Sequence, residues 1–256
     1  MWPAMLMSAG LPLPRRVWVH GWLLAQGERM SKSRGNFLDP LDVVAALGTD
    51  GTRFVLLREV AFDRDSDVSW DSFVRRYNAD LANDFGNLVN RTVSMAGRYL
   101  DSERPAPTPD GSLHASWAIA RSGYDANLEA CLLHEALASL WTFVGDANRF
   151  VDAERPWDLN KAAAIGDADS AARLQGVLGD LIEACRLIAL AAAPFMPNTA
   201  PLVLAQLGYT YPYGPDGNGG PILADELRWG ALADVDGRLT APEPLFPRLD
   251  VTAEAG

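Results

Sequence analysis

From about Tyr77 onward the chain repeats one pattern: apolar side chains three and four residues apart, interrupted where prolines cluster. That spacing places them on one stripe of an α-helix, and such a stripe has to be covered. Phe73, Tyr77, Leu81, Phe85 and Leu88 share one face, and Ser69 just before them suits an N-cap. The periodicity predicts helices over 71–100, 114–130, 133–154, 169–192 and 198–207. Pro105, Pro107 and Pro109 break the first connection, Pro156 a second, and Pro194 with Pro197 a third. Several amphipathic helices joined this way share a core, so a helix bundle follows from the pattern. Gly208 to Gly220 reads as a loop, and Leu227 to Asp250 as a docked tail with little regular structure. No repeat of fixed period occurs.

The amino-terminal part differs. Its first 25 residues are short apolar runs punctuated by prolines, and Arg16 to Leu23 reads as a strand feeding a turn. Asp39-Pro40 opens a short helix through Leu47 that Gly48 ends. Phe54, Leu57 and Val60 mark a further helical segment, and Phe62 to Val68 an acidic loop. This α/β piece is too short for a complete nucleotide-binding domain, which needs several βα units. The expected fold class is therefore mainly α: a helix bundle preceded by a small α/β remnant.

The chain has 256 residues, 48% hydrophobic and 21% charged, which suits one or two globular domains. Its net charge of −11 argues against non-specific nucleic-acid binding, but not against reading one folded RNA through a local arginine-bearing face. Cys131 and Cys185 lie far apart in apolar patterns and read as buried thiols of a reducing compartment. With no Cys-x-x-Cys pair and scattered histidines, no metal site and no zinc are expected. Met1 to Pro14 lacks a basic signal-peptide start, and Leu187 to Phe195 is far short of a membrane span. A cytoplasmic, monomeric protein with no membrane contact is the expectation.

Gly27-Glu28-Arg29-Met30-Ser31-Lys32-Ser33-Arg34-Gly35-Asn36 packs glycines, two serines and three cations into one short loop. Glycines let a backbone approach a ligand closely, and hydroxyls, free N–H groups and a lysine hold phosphates. Lys32 is one of only two lysines, so this is not a generic basic patch. The segment resembles the Lys-Met-Ser-Lys-Ser signature of class I aminoacyl-tRNA synthetases, with Arg29 in the first lysine's place. His20-Gly21-Trp22-Leu23 upstream and Asn36 to Pro40 downstream agree with the signature's flanks.

Further blocks narrow the resemblance to the methionyl-tRNA synthetases. They include Trp2-Pro3-Ala4, Leu11-Pro12, Phe54 to Glu59, Asn78 to Asn83 and Asn87-Leu88-Val89-Asn90-Arg91. Arg155-Pro156-Trp157, Leu227 to Gly230 and Leu245 to Arg248 fit the same branch. The Asn87/Arg91 and Pro156-Trp157 combination separates it from the cysteinyl or leucyl enzymes. The family's Rossmann half, with its His-Ile-Gly-His-type motif and methionine pocket, has no counterpart here, nor has its zinc-bearing insertion. The resemblance is thus to a carboxy-terminal half. It implies a Rossmann-type end of a catalytic domain at 1–77, an anticodon-binding bundle at 78–225 and a docked tail at 226–256.

The resemblance also implies roles. Lys32 is the expected catalytic cation, stabilising charge on departing pyrophosphate. Arg29, Met30, Ser31, Lys32, Ser33, His20 and Gly21 are expected around ATP, which enters with Mg2+ as substrate. Asn87, Arg91 and Trp157 are expected at the CAU anticodon, with Asn148 and Arg149 in support. A tryptophan at a helical corner can stack on an unpaired base, and an amide four residues before a guanidinium shares its helical face. Bland readings stand beside these. His20 reads equally as a strand-end histidine bonded to backbone, Trp157 as a core aromatic, and Asn87 with Arg91 as a solvated face. The other tryptophans, such as Trp141, read as core. Implied partners are the tRNA for methionine, with ATP and methionine engaged only alongside the missing half. The expected function is that of a methionine–tRNA ligase fragment, ATP-dependent in charging tRNA. The alternatives are an inactive stand-alone anticodon-binding module and a poorly folding fragment.

Overall fold

The computed structural model describes residues 1–31, 36–213, 223–232 and 237–250. Most of them are helical. Helix α1 spans Trp2–Ser8 and α2 Pro40–Glu59. Strands β1 (Leu23–Ala25), β2 (Glu28–Arg29) and β3 (Ser66–Asp67) form a small sheet in the order β2-β1-β3. β1 pairs antiparallel with β2 and parallel with β3. Then come α3 (Trp70–Arg76), a π-helical segment (Tyr77–Gly86) and α4 (Asn87–Tyr99) as one continuous rod. Helices α5 (Ser112–Glu129), α6 (Leu133–Glu154), α7 (Pro156–Ala164), α8 (Ala168–Ala192) and α9 (Thr199–Gln206) follow, and α10 is Leu223–Glu226.

Helices α5 and α6 form an antiparallel hairpin, and α8 runs through the middle of the bundle against α4, α6, α7 and α9. From Val177 to Ala192 every residue of α8 is buried, which is why its apolar residues wrap all round rather than along one stripe. Ser69 does cap α3: its hydroxyl accepts from the Ser72 N–H, and Ser72 returns a bond to the Ser69 N–H. Gly48 takes φ 71°, so the two short helices read from sequence join across a kink within α2.

The amino-terminal part is locked to the bundle. Asp50 in α2 accepts from Asn198 Nδ2 (2.9 Å), Thr199 N (2.6 Å) and Thr199 Oγ1 (2.8 Å), so it caps α9 from another helix. Arg53 Nε and Nη2 donate to the Phe195 and Pro194 carbonyls, in the connection between α8 and α9.

The carboxy-terminal residues lie across the bundle on polar clamps. Asn78 both donates to and accepts from the Leu249 backbone, at 2.8 and 2.9 Å. Gln206 does the same to Glu243, at 3.1 Å each way. Arg186, with 0% of its surface exposed, donates to both Glu183 oxygens at 2.7 and 2.6 Å. It also reaches the Glu226 and Arg228 carbonyls, while Glu183 accepts the Gly230 N–H at 2.7 Å. Trp229 Nε1 donates to the Thr108 carbonyl, and Trp117 Nε1 to that of Leu227.

Four expectations need correcting. Arg16 to Trp22 is not a strand; the ladder begins at Leu23–Ala25, and ahead of it single bonds from Gly21 N to the Phe62 carbonyl and from Ser66 N to the Trp22 carbonyl reach the acidic loop. Trp2–Ser8 is a helix rather than an irregular run, since Pro3 stands in its first turn where no N–H is needed. Trp141 is buried, but Trp2, Trp18 and Trp22 are 71%, 44% and 60% exposed. Cys185 is buried, whereas Cys131 is half-buried with φ 58° in the turn between α5 and α6.

Candidate functional site

Two places gather the residues singled out from sequence. The first is the mouth of the signature loop. Gln26 and Gly27 both have positive φ, the geometry of a two-residue hairpin turn joining β1 to β2. Carboxylates of the acidic loop hold this hairpin in place: Trp22 N donates to Asp65, and Gly27 N to Asp67. Gly21 lies against the same loop. A Cβ built on it would sit 2.1 Å from the Arg64 carbonyl oxygen, so only glycine lets the two backbones meet. His20 Nδ1 bonds the Gly21 carbonyl oxygen at 2.8 Å, and its ring meets Phe62 edge-on. The Arg29 guanidinium stacks 4.7 Å from the Trp22 ring centroid. Met30 and Ser31 are half-buried.

Lys32, Ser33, Arg34 and Gly35 lie outside the described residues. The two ends of the segment that contains them are joined by Asn36. Its Oδ1 accepts from Ser31 N at 2.9 Å and its Nδ2 donates to the Arg29 carbonyl at 3.3 Å. Sequence reading placed Asn36 only in the flank and assigned it no task. The signal was there, because an amide side chain is suited to bonding two backbone groups at a loop neck.

The second place is a cleft of about 260 Å3 between α4 and α7, lined by Asn90, Arg91, Ser94, Met95, Arg98, Tyr99 and Trp157. Arg155 makes it possible. This residue ends α6 in the left-handed conformation (φ 49°, ψ 61°), and Pro156 then starts α7. The sharp corner swings Trp157 onto α4. Arg91 and Trp157, 66 positions apart in the chain, thus line one cleft. Asn87 sits one turn before Arg91 on the exposed face of α4, beyond the cleft's lining. Asn148 bonds the Asp84 and Val144 carbonyls, and Arg149 pairs with Asp146, so neither lines the cleft.

Acidic side chains balance most cations here. Arg91 Nη2 reaches Asp152 Oδ1 at 3.1 Å. Arg155 and Lys161 both meet Asp158, whose carboxyl the Arg155 hydrogen bond holds below its ordinary range. Arg173 pairs with Glu154 at 2.5 Å. Among the described residues no cluster of His, Cys, Asp or Glu suited to a metal occurs, and no helix is long and apolar enough to cross a membrane.

Residues 1–93 match the family model described as tRNA synthetases class I (M). The methionine–tRNA ligase of Caldanaerobacter subterraneus subsp. tengcongensis is 38% identical over 258 residues, covering 99% of this chain and 38% of the relative. The chain is related to the methionyl-tRNA synthetases. The Thermotoga maritima methionine–tRNA ligase is 35% identical, with 98% of this chain and 38% of the relative covered. The Mycobacterium tuberculosis methionyl-tRNA synthetase in complex with methionyl-adenylate superimposes with a TM-score of 0.78 at 36% identity, over 96% of this chain and 47% of that one. The chain therefore spans less than half the length of these methionyl-tRNA synthetases.

Proposed function

We propose that this chain supplies the signature-loop segment and the anticodon-binding bundle of a methionine–tRNA ligase, the ATP-dependent enzyme that joins methionine to its tRNA. The observation that carries the reading is the meeting of Arg91 and Trp157 in one cleft, within a chain 38% identical to a methionine–tRNA ligase. In this reading residues 1–77 end the catalytic domain, 78–225 form the anticodon-binding bundle, and 226–256 are its docked tail.

In the cleft, Trp157 offers an aromatic face for an unpaired base and Arg91 donors for base edges, with the Asn87 amide one turn beyond the lining on the same row of α4. Asp152 takes one Arg91 nitrogen and so limits how the fork can turn. At the loop, Lys32 is the catalytic cation, acting on charge that develops in the transition state. Arg29, Met30, Ser31, Ser33, His20 and Gly21 surround ATP, and Mg2+ accompanies the nucleotide. Arg29 brings a planar fork where a lysine would bring a point charge.

Methionine activation needs the rest of the catalytic domain. Trp2, Met5, Val17, Val19 and Trp22 are exposed apolar side chains of the amino-terminal part, and we assign them to contact with the complementary half. The second reading, an anticodon-binding module without activity of its own, is favoured by the size of this sheet, which has only three short strands among the described residues.

Binding decides the first part. At fixed salt, the chain should prefer a tRNA with a CAU anticodon over one with an altered anticodon. Trp157→Ala should weaken binding by roughly 1–3 kcal/mol, and Arg91→Ala should relax the preference. Equal affinity of the wild type for both RNAs would overturn the reading. Methionine-dependent pyrophosphate exchange into ATP separates the two alternatives: none from the chain alone, and exchange sensitive to Lys32→Ala once the complementary half is added.

A further inference from the structure

Asn87, Arg91, Met95 and Tyr99 form one row along α4 at four-residue spacing, and Asn90, Ser94 and Arg98 form the neighbouring row. Together they run about 18 Å along the axis, at about 1.5 Å per residue. All but Asn87 line the cleft that Trp157 closes from α7. Its floor is Met95, Tyr99 and Trp157, each half-buried against the core, so these side chains are held rather than free to swing. Its edges are polar. Of its two guanidiniums, Arg91 is paired with Asp152, while Arg98 is exposed and makes no ion pair or hydrogen bond with any described residue. An aromatic floor, amide and hydroxyl edges and a cation with no acidic partner among the described residues are the chemistry of a site for an unpaired nucleotide: stacking for the base, donors for its edge, charge for its phosphate.

We propose that the cleft seats a single-stranded RNA segment running the length of α4. Tyr99 serves there as a second stacking platform beyond Trp157, and Arg98 holds a phosphate at the far end. This rests on the anticodon-binding reading and extends it from a three-residue reader to a strip with divided labour. Arg91 and Asn87 discriminate among bases; Arg98 and Tyr99 supply affinity without discrimination. The division follows from chemistry. A phosphate is the same in every nucleotide, and a phenol ring stacks on any base, whereas a guanidinium held by Asp152 meets a base edge in one orientation.

The test uses the full chain and two RNA stem-loops, one with a CAU loop and one with an altered loop, titrated over a series of salt concentrations. Arg98→Gln should weaken both RNAs by the same factor and lower the slope of log K against log[salt] by about 0.7, one phosphate on a single strand. Tyr99→Leu keeps the apolar packing but removes the ring, and should weaken both RNAs roughly 5- to 140-fold, the equivalent of one lost stack. The ratio between the two RNAs should stay at its wild-type value in both variants. A cation that served only the carboxy-terminal end of α4 would alter melting temperature and leave the salt slope untouched. Wild-type discrimination with an unchanged slope in Arg98→Gln, or unchanged affinity in Tyr99→Leu, overturns the proposal alone. Equal wild-type affinity for the two loops overturns the anticodon reading instead, and no binding of either RNA overturns both.

Discussion

Replacing Arg186 by methionine tests the clamp on which the carboxy-terminal residues rest. The guanidinium uses four N–H bonds: two to Glu183 at 2.7 and 2.6 Å, one to the Glu226 carbonyl at 2.8 Å and one to that of Arg228 at 3.0 Å. Neither partner of the ion pair sees solvent, with 0% and 2% of the side chains exposed. Removing one member of a buried pair strands the other's charge and costs about 3–5 kcal/mol. Here Glu183 would keep only the Gly230 N–H. Arg186→Met should therefore lower the melting temperature by roughly 6–20 °C, at roughly 2–4 °C per kcal/mol for a chain of this size. Glu183→Leu combined with Arg186→Met removes both charges, and a buried pair replaced whole is often neutral. The double variant should nonetheless stay below wild type. The Gly230 N–H and the Glu226 and Arg228 carbonyls lose their partners, and each unsatisfied buried group costs about 1–3 kcal/mol. Calorimetry on the three proteins decides. An Arg186→Met melting temperature within a degree or two of wild type would mean that the pair is not desolvated, and the reasoning would fail.

At Gly21, substitution by alanine should force the chain away from Arg64, loosening β3 at a cost of roughly 1–3 kcal/mol. Faster hydrogen exchange at the Ser66 and Val68 amides, which bond Trp22 and Leu24, would register it, and unchanged protection would refute it. Burial raises the carboxyl pKa of Asp80, Asp84 and Asp180 above the ordinary 3.8, so the folded state holds their protons more tightly than the unfolded chain does. That stabilisation is complete below the unfolded value and is lost as pH rises through the folded values. Asp158 and Asp167 are shifted the opposite way and withdraw stability below 3.8. The melting temperature should thus peak between about pH 4 and 7, with a shallower acid-side rise in Asp180→Asn. A steady fall from pH 7 to pH 4 would contradict this.

Helices were legible because their signals are local. Three- and four-residue apolar spacing, the Ser69 cap and the prolines act within a turn or two, and the long helices lie within a few residues of where those signals put them. The π-helical segment was not legible, since its apolar spacing serves an α-helix equally well. Residues 16–20 carry strand-forming side chains but pair with no described strand, and a strand is made by its neighbour. At the cleft, Arg91 and Trp157 stood out individually. Arg98 and Tyr99 did not, because a lone arginine and tyrosine at a helix end say nothing until α7 is known to lie beside them.

The amino-acid sequence alone determined the helical periodicity, the breaks between helices and the glycine, serine and lysine composition of the segment around Lys32, all properties of neighbouring residues. The tertiary structure alone decided what the polar residues of the bundle do. Asn78, Asp50 and Arg104 find their partners 171, 149 and 104 positions away, and nothing near them in the chain announces it. A buried amide or carboxylate takes its meaning from whichever backbone packing brings within 3 Å, and packing is a property of the whole core rather than of any segment.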